Sequence, residues 1–153
     1  MNEFMKIAKE NADKGIRENE GGPFGAVIID KNGNIVAKGN NQVLLKKDPT
    51  AHAEIMAIRI ACEKLNTYDL SDYILYTSCE PCPMCLSAII WSNIKEVYYG
   101  CTKEDAAEIG FRDEAIYDYL KGKDKSLIKL NQMNREECIK TFEEYKKKDG
   151  TIY

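Results

Sequence analysis

Apolar residues recur at helical spacing close to the N-terminus, which predicts an amphipathic helix that ends near Gly15. The positions on its mostly apolar face are Phe4, Ile7, Ala8, Asn11, Ala12 and Ile16. Two strand-like runs follow at residues 24–30 and 35–39. The Asn32-Gly33 pair between them favours a tight hairpin.

The middle of the chain alternates between helical and extended patterns. Asp48 and Pro49 are typical of a helix cap and a first-turn proline. Apolar positions nearly encircle the segment that follows, which predicts a mostly buried helix to about Lys64. Three elements come next: a buried strand at residues 73–77, a short helix at 82–92 and a strand at 95–100.

The last third of the chain predicts a mostly helical or irregular segment at residues 104–120, a final strand at 127–130 and a helix at 135–148. The apolar face of that last helix consists of Cys138, Ile139, Phe142 and Tyr145. A hairpin followed by alternating strands and helices favours an α/β fold. We expect a three-layer α/β/α sandwich around a central mixed five-stranded sheet. No linker or repeat divides the sequence, so we predict one domain over residues 1–153.

The composition excludes several functional classes. The chain has 153 residues, with 22 Lys and Arg against 25 Asp and Glu, and a net charge of −3. Nucleic-acid binders usually carry a basic excess, which this chain lacks. No apolar run approaches the ~20 residues of a membrane span. Residues 1–15 lack the apolar core of a secretory leader, so we expect a cytoplasmic protein. Its six cysteines are then thiols or metal ligands rather than disulfides.

The single histidine belongs to a short motif that carries chemistry. His52-Ala53-Glu54 is followed thirty residues later by Pro81-Cys82-Pro83-Met84-Cys85. A histidine–glutamate pair and a Pro-Cys-x-x-Cys motif coincide by chance on the order of once in 1,500 chains of this composition. Cys82 and Cys85 are three residues apart, so on a helix they share a face. The first turn of that helix favours the thiolate form, which binds zinc.

His52, Cys82 and Cys85 supply three zinc ligands. Tetrahedral zinc takes four, so one position stays open for water, which is the pattern of a catalytic site. Glu54 lies about 200° around a helix from His52. We therefore expect Glu54 to stand beside the zinc-bound water and to move its proton to a substrate, rather than to ligate the metal.

Other interpretations of these residues stay open. His52 taken alone would be a core or capping histidine, and Glu54 taken alone a solvated helix residue. Cys79 is also spaced for an iron–sulfur motif, but Ile89 stands where the fourth cysteine would be. A fourth zinc ligand from Cys79 would instead indicate a non-catalytic zinc module. We expect Cys79 to pack near the site, and Cys62, Cys101 and Cys138 to pack in the core.

Four stretches of the sequence resemble the cytidine deaminase-like superfamily of zinc aminohydrolases, in which H-x-E with P-C-x-x-C is the deaminase signature. The stretches are GGPFGAVI at residues 21–28, DPTAHAE at 48–54, LYTSCEPCPMC at 75–85 and DAAEIGFRD at 105–113. The second and third are shared with tRNA adenosine deaminases. The fourth stretch and the C-terminal Tyr153 resemble bacterial guanine deaminases, while residues 121–134 depart from that family.

The resemblance implies roles for several more residues. Phe24 stacks on a purine base, Asn41 hydrogen-bonds its ring acceptors, and Asp113 accepts hydrogen bonds from guanine N–H groups. The resemblance further implies that Tyr153 closes the pocket, in a C-terminal segment exchanged between the subunits of a homodimer. The substrate-binding residues that it implies are Phe24, Asn41, Ala53, Trp91, Asp113 and Tyr153.

The activity implied by the resemblance is the zinc-dependent hydrolysis of guanine to xanthine and ammonia, with one Zn²⁺ per subunit and Glu54 as the catalytic residue. The alternatives within the superfamily are guanosine, cytosine and tRNA adenosine deamination. The acidic net charge weighs against a nucleic-acid partner.

Overall fold

Helix α1 (Glu3–Arg17) begins the chain, and the predicted hairpin follows it as β1 (Gly25–Asp30) and β2 (Ile35–Asn40). The Asp30 carboxylate holds the hairpin turn by accepting hydrogen bonds from the backbone N–H groups of Asn32 and Asn34 at 2.8 and 2.9 Å. Gly33 has a φ of 85°, a conformation that glycine adopts without strain.

The computed structural model describes residues 1–153, which cluster into two compact units, residues 1–117 and 118–153. The remaining elements of the chain, in order, are α2 (Val43–Lys46), α3 (Ala53–Leu65), β3 (Tyr73–Cys79), α4 (Pro83–Trp91), β4 (Glu96–Cys101), α5 (Lys103–Glu108), α6 (Asp113–Leu120) and α7 (Arg135–Lys147). None of the helices combines the length and the apolar character that a membrane span requires.

The first unit contains a mixed four-stranded sheet in the order β2-β1-β3-β4. Strand β1 is antiparallel to both β2 and β3, and β3 is parallel to β4. A parallel pair requires a crossover connection, which α4 provides between β3 and β4. The carboxyl end of β3 therefore leads directly into α4, where the Cys motif lies.

Helices cover both faces of this sheet. Ala8 of α1 packs with Val27 and Ile29 on one face. The other face packs against α3 in a core that includes Ile28, Leu75 and Ala57. Alternating side chains of a strand point to opposite faces, so β1 contributes to both cores. The expected α/β/α sandwich is confirmed.

Glycines allow the helices to approach the sheet closely. A Cβ on Gly25 would lie 2.0 Å from the carbonyl oxygen of Ala8, and one on Gly39 would lie 2.3 Å from that of Ala53. Side chains at these two positions would push α1 and α3 away from the strands. Because α3 carries Glu54, the spacing at Gly39 also sets the depth of the site.

The second unit contains α7 and the C-terminal segment. None of the residues 118–153 is buried. Tyr145 of α7 donates its hydroxyl to the carbonyl oxygen of Thr151 at 2.7 Å, which ties the end of the chain to this helix. The apolar face expected on α7 is largely exposed, and with it Cys138, which does not pack in a core.

The sequence-based prediction of five strands was wrong by one. Residues 127–130 form no strand, and Leu127, Ile128 and Leu130 are exposed. A run of four residues contains too little periodicity to distinguish a strand from a loop. The Asp124 carboxylate accepts hydrogen bonds from the backbone and hydroxyl of Ser126, which forms a local turn just before the run.

The start of α3 was also predicted too early. Asp48 does not cap this helix; its carboxylate accepts hydrogen bonds from the backbone N–H and the hydroxyl of Thr50 at 2.8 and 2.6 Å. That turn is followed by extended backbone at His52, which is the residue that precedes the first turn of α3. Polar side chains of this kind stabilise turns as readily as helix ends.

Candidate zinc centre and active site

Three metal-binding side chains come from two helix N-termini. His52 precedes α3, Cys82 precedes α4, and Cys85 lies in the first turn of α4. The Cys85 backbone N–H donates to Cys82 Sγ at 3.5 Å, so the helix end itself orients the first thiol. Helix N-termini favour negative charge, and thiolates at these positions are stabilised for metal binding.

The donor atoms of these residues converge. His52 Nδ1 lies 3.6 Å from Cys82 Sγ and 3.6 Å from Cys85 Sγ, and all three donor atoms lie within 4.8 Å of one another. Zinc–sulfur and zinc–nitrogen bonds of normal length at a tetrahedral angle place sulfur and nitrogen about 3.6 Å apart. The donor set and its spacing therefore fit zinc.

Hydrogen bonds among the two thiols and the imidazole shift the pKa values of all three groups. The hydrogen bond from Cys85 lowers the pKa of Cys82 to about 4. The same hydrogen bond, together with burial, raises the pKa of Cys85. The contact with Cys82 raises the pKa of His52. Zinc takes thiolate and neutral imidazole ligands, so metal binding releases the protons that these groups share.

Cys79 does not join this group. Its thiol donates to the carbonyl oxygen of Thr102 at 3.6 Å, and burial raises the pKa of the thiol to about 12. Cys79 Sγ is not among the donor atoms that lie within 4.8 Å of one another. The donor set is His52, Cys82 and Cys85, which leaves one tetrahedral position open, as catalytic zinc sites do.

Glu54 lies in the first turn of α3 with a side chain that is only 5% exposed. Its Oε1 accepts a hydrogen bond of 3.0 Å from the hydroxyl of Thr77 on β3. Burial raises the pKa of this carboxyl group. A carboxyl group with a raised pKa can both take and give a proton near neutral pH, which suits a general acid–base.

A cavity of about 390 Å³ opens beside these groups. Six of the predicted site residues line it, namely Phe24, Asn41, His52, Glu54, Cys82 and Asp113. Predictions from the sequence missed further residues of the cavity wall. They are Gly21, Gly22, Val43, Leu44, Pro49, Glu80, Phe111 and Arg112.

Phe24 stands on the cavity wall in an edge-to-face contact with Phe111, with ring centroids 4.8 Å apart. A Cβ on Gly22 would come within 2.9 Å of Phe111 and 3.0 Å of Phe24. A glycine is therefore needed where the aromatic pair meets the chain. The pair presents apolar ring surface on which a planar base can stack.

Asn41 is buried at the end of β2, and its orientation is set by the backbone. The side-chain Oδ1 of Asn41 accepts a hydrogen bond of 3.0 Å from the backbone N–H of Val43. The backbone N–H of Asn41 donates to the carbonyl oxygen of Phe24 at 3.0 Å. Because Oδ1 is already engaged, the side-chain amide offers its N–H groups to a ligand. A Cβ on Gly21 would lie 2.1 Å from Oδ1, so only glycine leaves room for this arrangement.

Acidic side chains flank the cavity. Asp113 begins α6, and burial followed by the nearby Cys82 thiolate raises the pKa of its carboxyl group. Glu80, at the end of β3, accepts a hydrogen bond from the Lys103 N–H at 2.9 Å. Carboxylates accept but do not donate, so they select ligands that present N–H groups.

Three predicted binding residues do not line this cavity. Ala53 is buried in the first turn of α3. Trp91, the last residue of α4, is 66% exposed. Tyr153 lies in the second unit, where it lines a separate hollow with Phe142 and Tyr145 and is 72% exposed. The binding roles of these three residues stay predictions.

Comparisons with known proteins agree with this geometry. Residues 1–101 match the family model for the cytidine and deoxycytidylate deaminase zinc-binding region. The chain is 48% identical to guanine deaminase of Bacillus subtilis over 144 residues, which is 94% of this chain and 92% of that protein. It is 40% identical to a tRNA-specific adenosine deaminase of Haemophilus influenzae over 76% of this chain and 66% of that protein.

Solved structures give the same result. Guanine deaminase from Bacillus subtilis superposes with a TM-score of 0.89 at 46% identity, covering 96% of this chain and 95% of that one. Guanine deaminase from Nitrosomonas europaea superposes with a TM-score of 0.69 at 35% identity, covering 72% and 63%. The chain therefore belongs to the cytidine and deoxycytidylate deaminase family and is a zinc-dependent aminohydrolase related to bacterial guanine deaminases.

Proposed function

We propose that this enzyme hydrolyses guanine to xanthine and ammonia. The observation that carries the proposal is the likeness to Bacillus subtilis guanine deaminase, which extends over 94% of the chain and well past the zinc-binding region. The aligned residues include the segment that places Asp113 in the cavity. The likeness to tRNA-specific adenosine deaminases is lower in identity, at 40% over 76% of this chain for the Haemophilus influenzae protein and 36% over 93% for that of Buchnera aphidicola.

The cavity residues divide the work of binding. Phe24 stacks on the purine, and the Asn41 amide donates to its ring acceptors. Asp113 accepts from guanine N–H groups. Adenine presents different donors on that edge, so its binding would leave the half-buried Asp113 carboxylate unpaired and would lower its affinity.

Proton transfer is the work of Glu54. Zinc held by His52, Cys82 and Cys85 would lower the pKa of a water molecule toward neutrality and would activate it as the nucleophile for C2 of guanine. Glu54 takes one proton from the attacking water and delivers it to N3. It then moves the remaining proton of the added hydroxyl group to the amino group, which departs as ammonia while C2 keeps the oxygen. The raised pKa of Glu54 supports this sequence, because the group must be charged and neutral in turn.

A panel of substrates tests the activity. Ammonia release is measured with guanine, guanosine, adenine, cytosine and a tRNA anticodon stem, at equal enzyme and zinc concentrations. We expect guanine to be the preferred substrate. Turnover of the tRNA stem without turnover of guanine would refute the proposal in favour of a tRNA adenosine deaminase. No turnover at all in the zinc-loaded protein would favour a non-catalytic zinc module.

We further propose that the enzyme acts in the cytoplasm, in purine metabolism, as a homodimer. Helix α4 supports the homodimer, because Leu86, Ile90 and Trp91 are exposed at spacings that place them on one side of the helix. Exposed apolar faces of this kind are typical of subunit interfaces. Light scattering after size exclusion measures the state, and a mass of 17.4 kDa would identify a monomer instead.

The C-terminal segment is proposed to close the site of the partner subunit. The absence of buried residues in 118–153 supports this, since such a segment gains stability by packing elsewhere. Co-expression of two inactive chains, one with Glu54→Gln and one lacking Tyr153, tests the exchange. If the segment acts between subunits, the mixed dimer has one complete site and regains activity. If it acts within its own chain, no complete site forms and the mixture stays inactive.

A further inference from the structure

Strand β3 carries a polar side chain on a buried, mostly apolar face. Its burial alternates, so that Leu75, Thr77 and Cys79 are all buried while the residues between them are not. Leu75 belongs to the core that β3 shares with α3. Thr77 is 1% exposed. A hydroxyl at such a position is costly unless it has a hydrogen-bond partner.

The partner of Thr77 is the carboxyl group of Glu54. The hydroxyl donates to Glu54 Oε1 at 3.0 Å, across 23 positions of sequence. A threonine hydroxyl has one hydrogen, so this bond uses all of its donor capacity. Both side chains are almost fully buried, where the low dielectric strengthens such a bond.

We infer that Thr77 is a positioning residue that holds the Glu54 carboxylate in one orientation. Its hydroxyl engages Oε1, so the carboxylate group rotates only if this hydrogen bond breaks. Thr77 itself neither gains nor loses a proton. This inference rests on the proposed function, because it assigns Thr77 a role through the proton transfers of Glu54.

The position of Thr77 gives the bond its rigidity. Thr77 is paired with Ala26 of β1 on one side and with Tyr99 of β4 on the other. A central strand moves less than a loop, so the hydroxyl provides a fixed reference for the carboxylate on α3. General acid–base catalysis depends on such fixed geometry, because displacement by about 1 Å can lower a rate about 100-fold.

Two variants separate the hydroxyl from the shape of the side chain. Thr77→Val keeps the volume and removes the hydroxyl, whereas Thr77→Ser keeps the hydroxyl and removes the methyl group. Ser92→Ala is the matched control, because Ser92 is also buried and donates its hydroxyl at 2.8 Å, but to the backbone of Ile89. For each protein we would measure zinc content, thermal midpoint, and kcat and KM for guanine.

We expect Thr77→Val to keep one zinc and to lose kcat by about 10- to 100-fold with KM changed by less than about threefold. Thr77→Ser is expected to stay within about threefold of wild type, and Ser92→Ala to change only the thermal midpoint. Wild-type kcat for Thr77→Val, or equal losses in the Val and Ser variants, would overturn the inference. If wild type turns over another base of the panel instead, the proposed function fails, and the same ratios on that base test Thr77 separately.

Discussion

Replacement of Glu54 by glutamine removes the proposed proton carrier while preserving its shape. Glutamine has the same size, and its carbonyl oxygen can still accept the 3.0 Å hydrogen bond from Thr77. Glu54 is not one of the three zinc donors, so the variant retains one zinc per chain. General acid–base groups contribute about 10²- to 10⁴-fold to a rate, and we expect kcat for guanine to fall by that factor.

The assay combines ammonia release at saturating guanine with metal analysis of the same samples. Glu63→Gln is the matched control, since Glu63 lies on the same helix but is exposed, and it should behave as wild type. A Glu54→Gln protein with full zinc and more than about a tenth of wild-type kcat would refute the assignment of proton transfer to Glu54.

Glu54→Gln, which should lower kcat, is expected to raise the thermal stability of the protein. Burial raises the pKa of Glu54 above its unfolded value. Its stabilising contribution is then present below the unfolded pKa and is lost as the pH rises through the folded pKa. In protein freed of zinc by a chelator, we therefore expect Glu54→Gln to melt at a higher temperature than wild type near about pH 8, with the difference shrinking toward about pH 4. A lower midpoint at both values would contradict this reasoning.

Three further predictions concern other parts of the enzyme. Asp113→Asn should lower kcat/KM for guanine by about 10- to 100-fold in steady-state assays, because an amide no longer matches the N–H groups of the guanine edge. An unchanged kcat/KM would show that Asp113 does not recognise guanine. Cys79→Ala should keep one zinc by metal analysis, because its thiol bonds to Thr102, whereas loss of the metal would favour a structural site. Gly25→Ala should destabilise the fold by about 1–3 kcal/mol in thermal or urea unfolding, because the new Cβ would lie 2.0 Å from the Ala8 carbonyl oxygen. An unchanged midpoint would contradict the close packing of α1 on β1.

Local patterns predicted most of the elements well. The apolar periodicity of α1 and the Asn32-Gly33 hairpin both appear in the structure, since each depends on residues that are close in sequence. The strand predicted at residues 127–130 does not form, because a strand requires a neighbouring strand, which a local sequence pattern does not reveal. The predicted start of α3 was wrong because Asp48 stabilises a turn instead of a helix end.

Some candidate site residues could be found from the sequence, and others only from the structure. His52, Cys82 and Glu54 were found from spacing, because metal and proton chemistry restricts the residue types that can serve. Thr77 was missed, although a threonine at an apolar position of a strand was a usable signal. Trp91 was predicted to bind substrate, and the structure shows that it is exposed at the end of α4.

The sequence by itself determined the donor types, the carboxylate proposed for proton transfer and the alternation of strands and helices, because these depend on chemistry and periodicity along short segments. Only the tertiary structure decided that His52 presents Nδ1 to both sulfurs at 3.6 Å and that Thr77 holds Glu54. Both arrangements join residues more than twenty positions apart. Their geometry follows from the strand order β2-β1-β3-β4 and from the close approach of α3 to the sheet, which long-range packing sets.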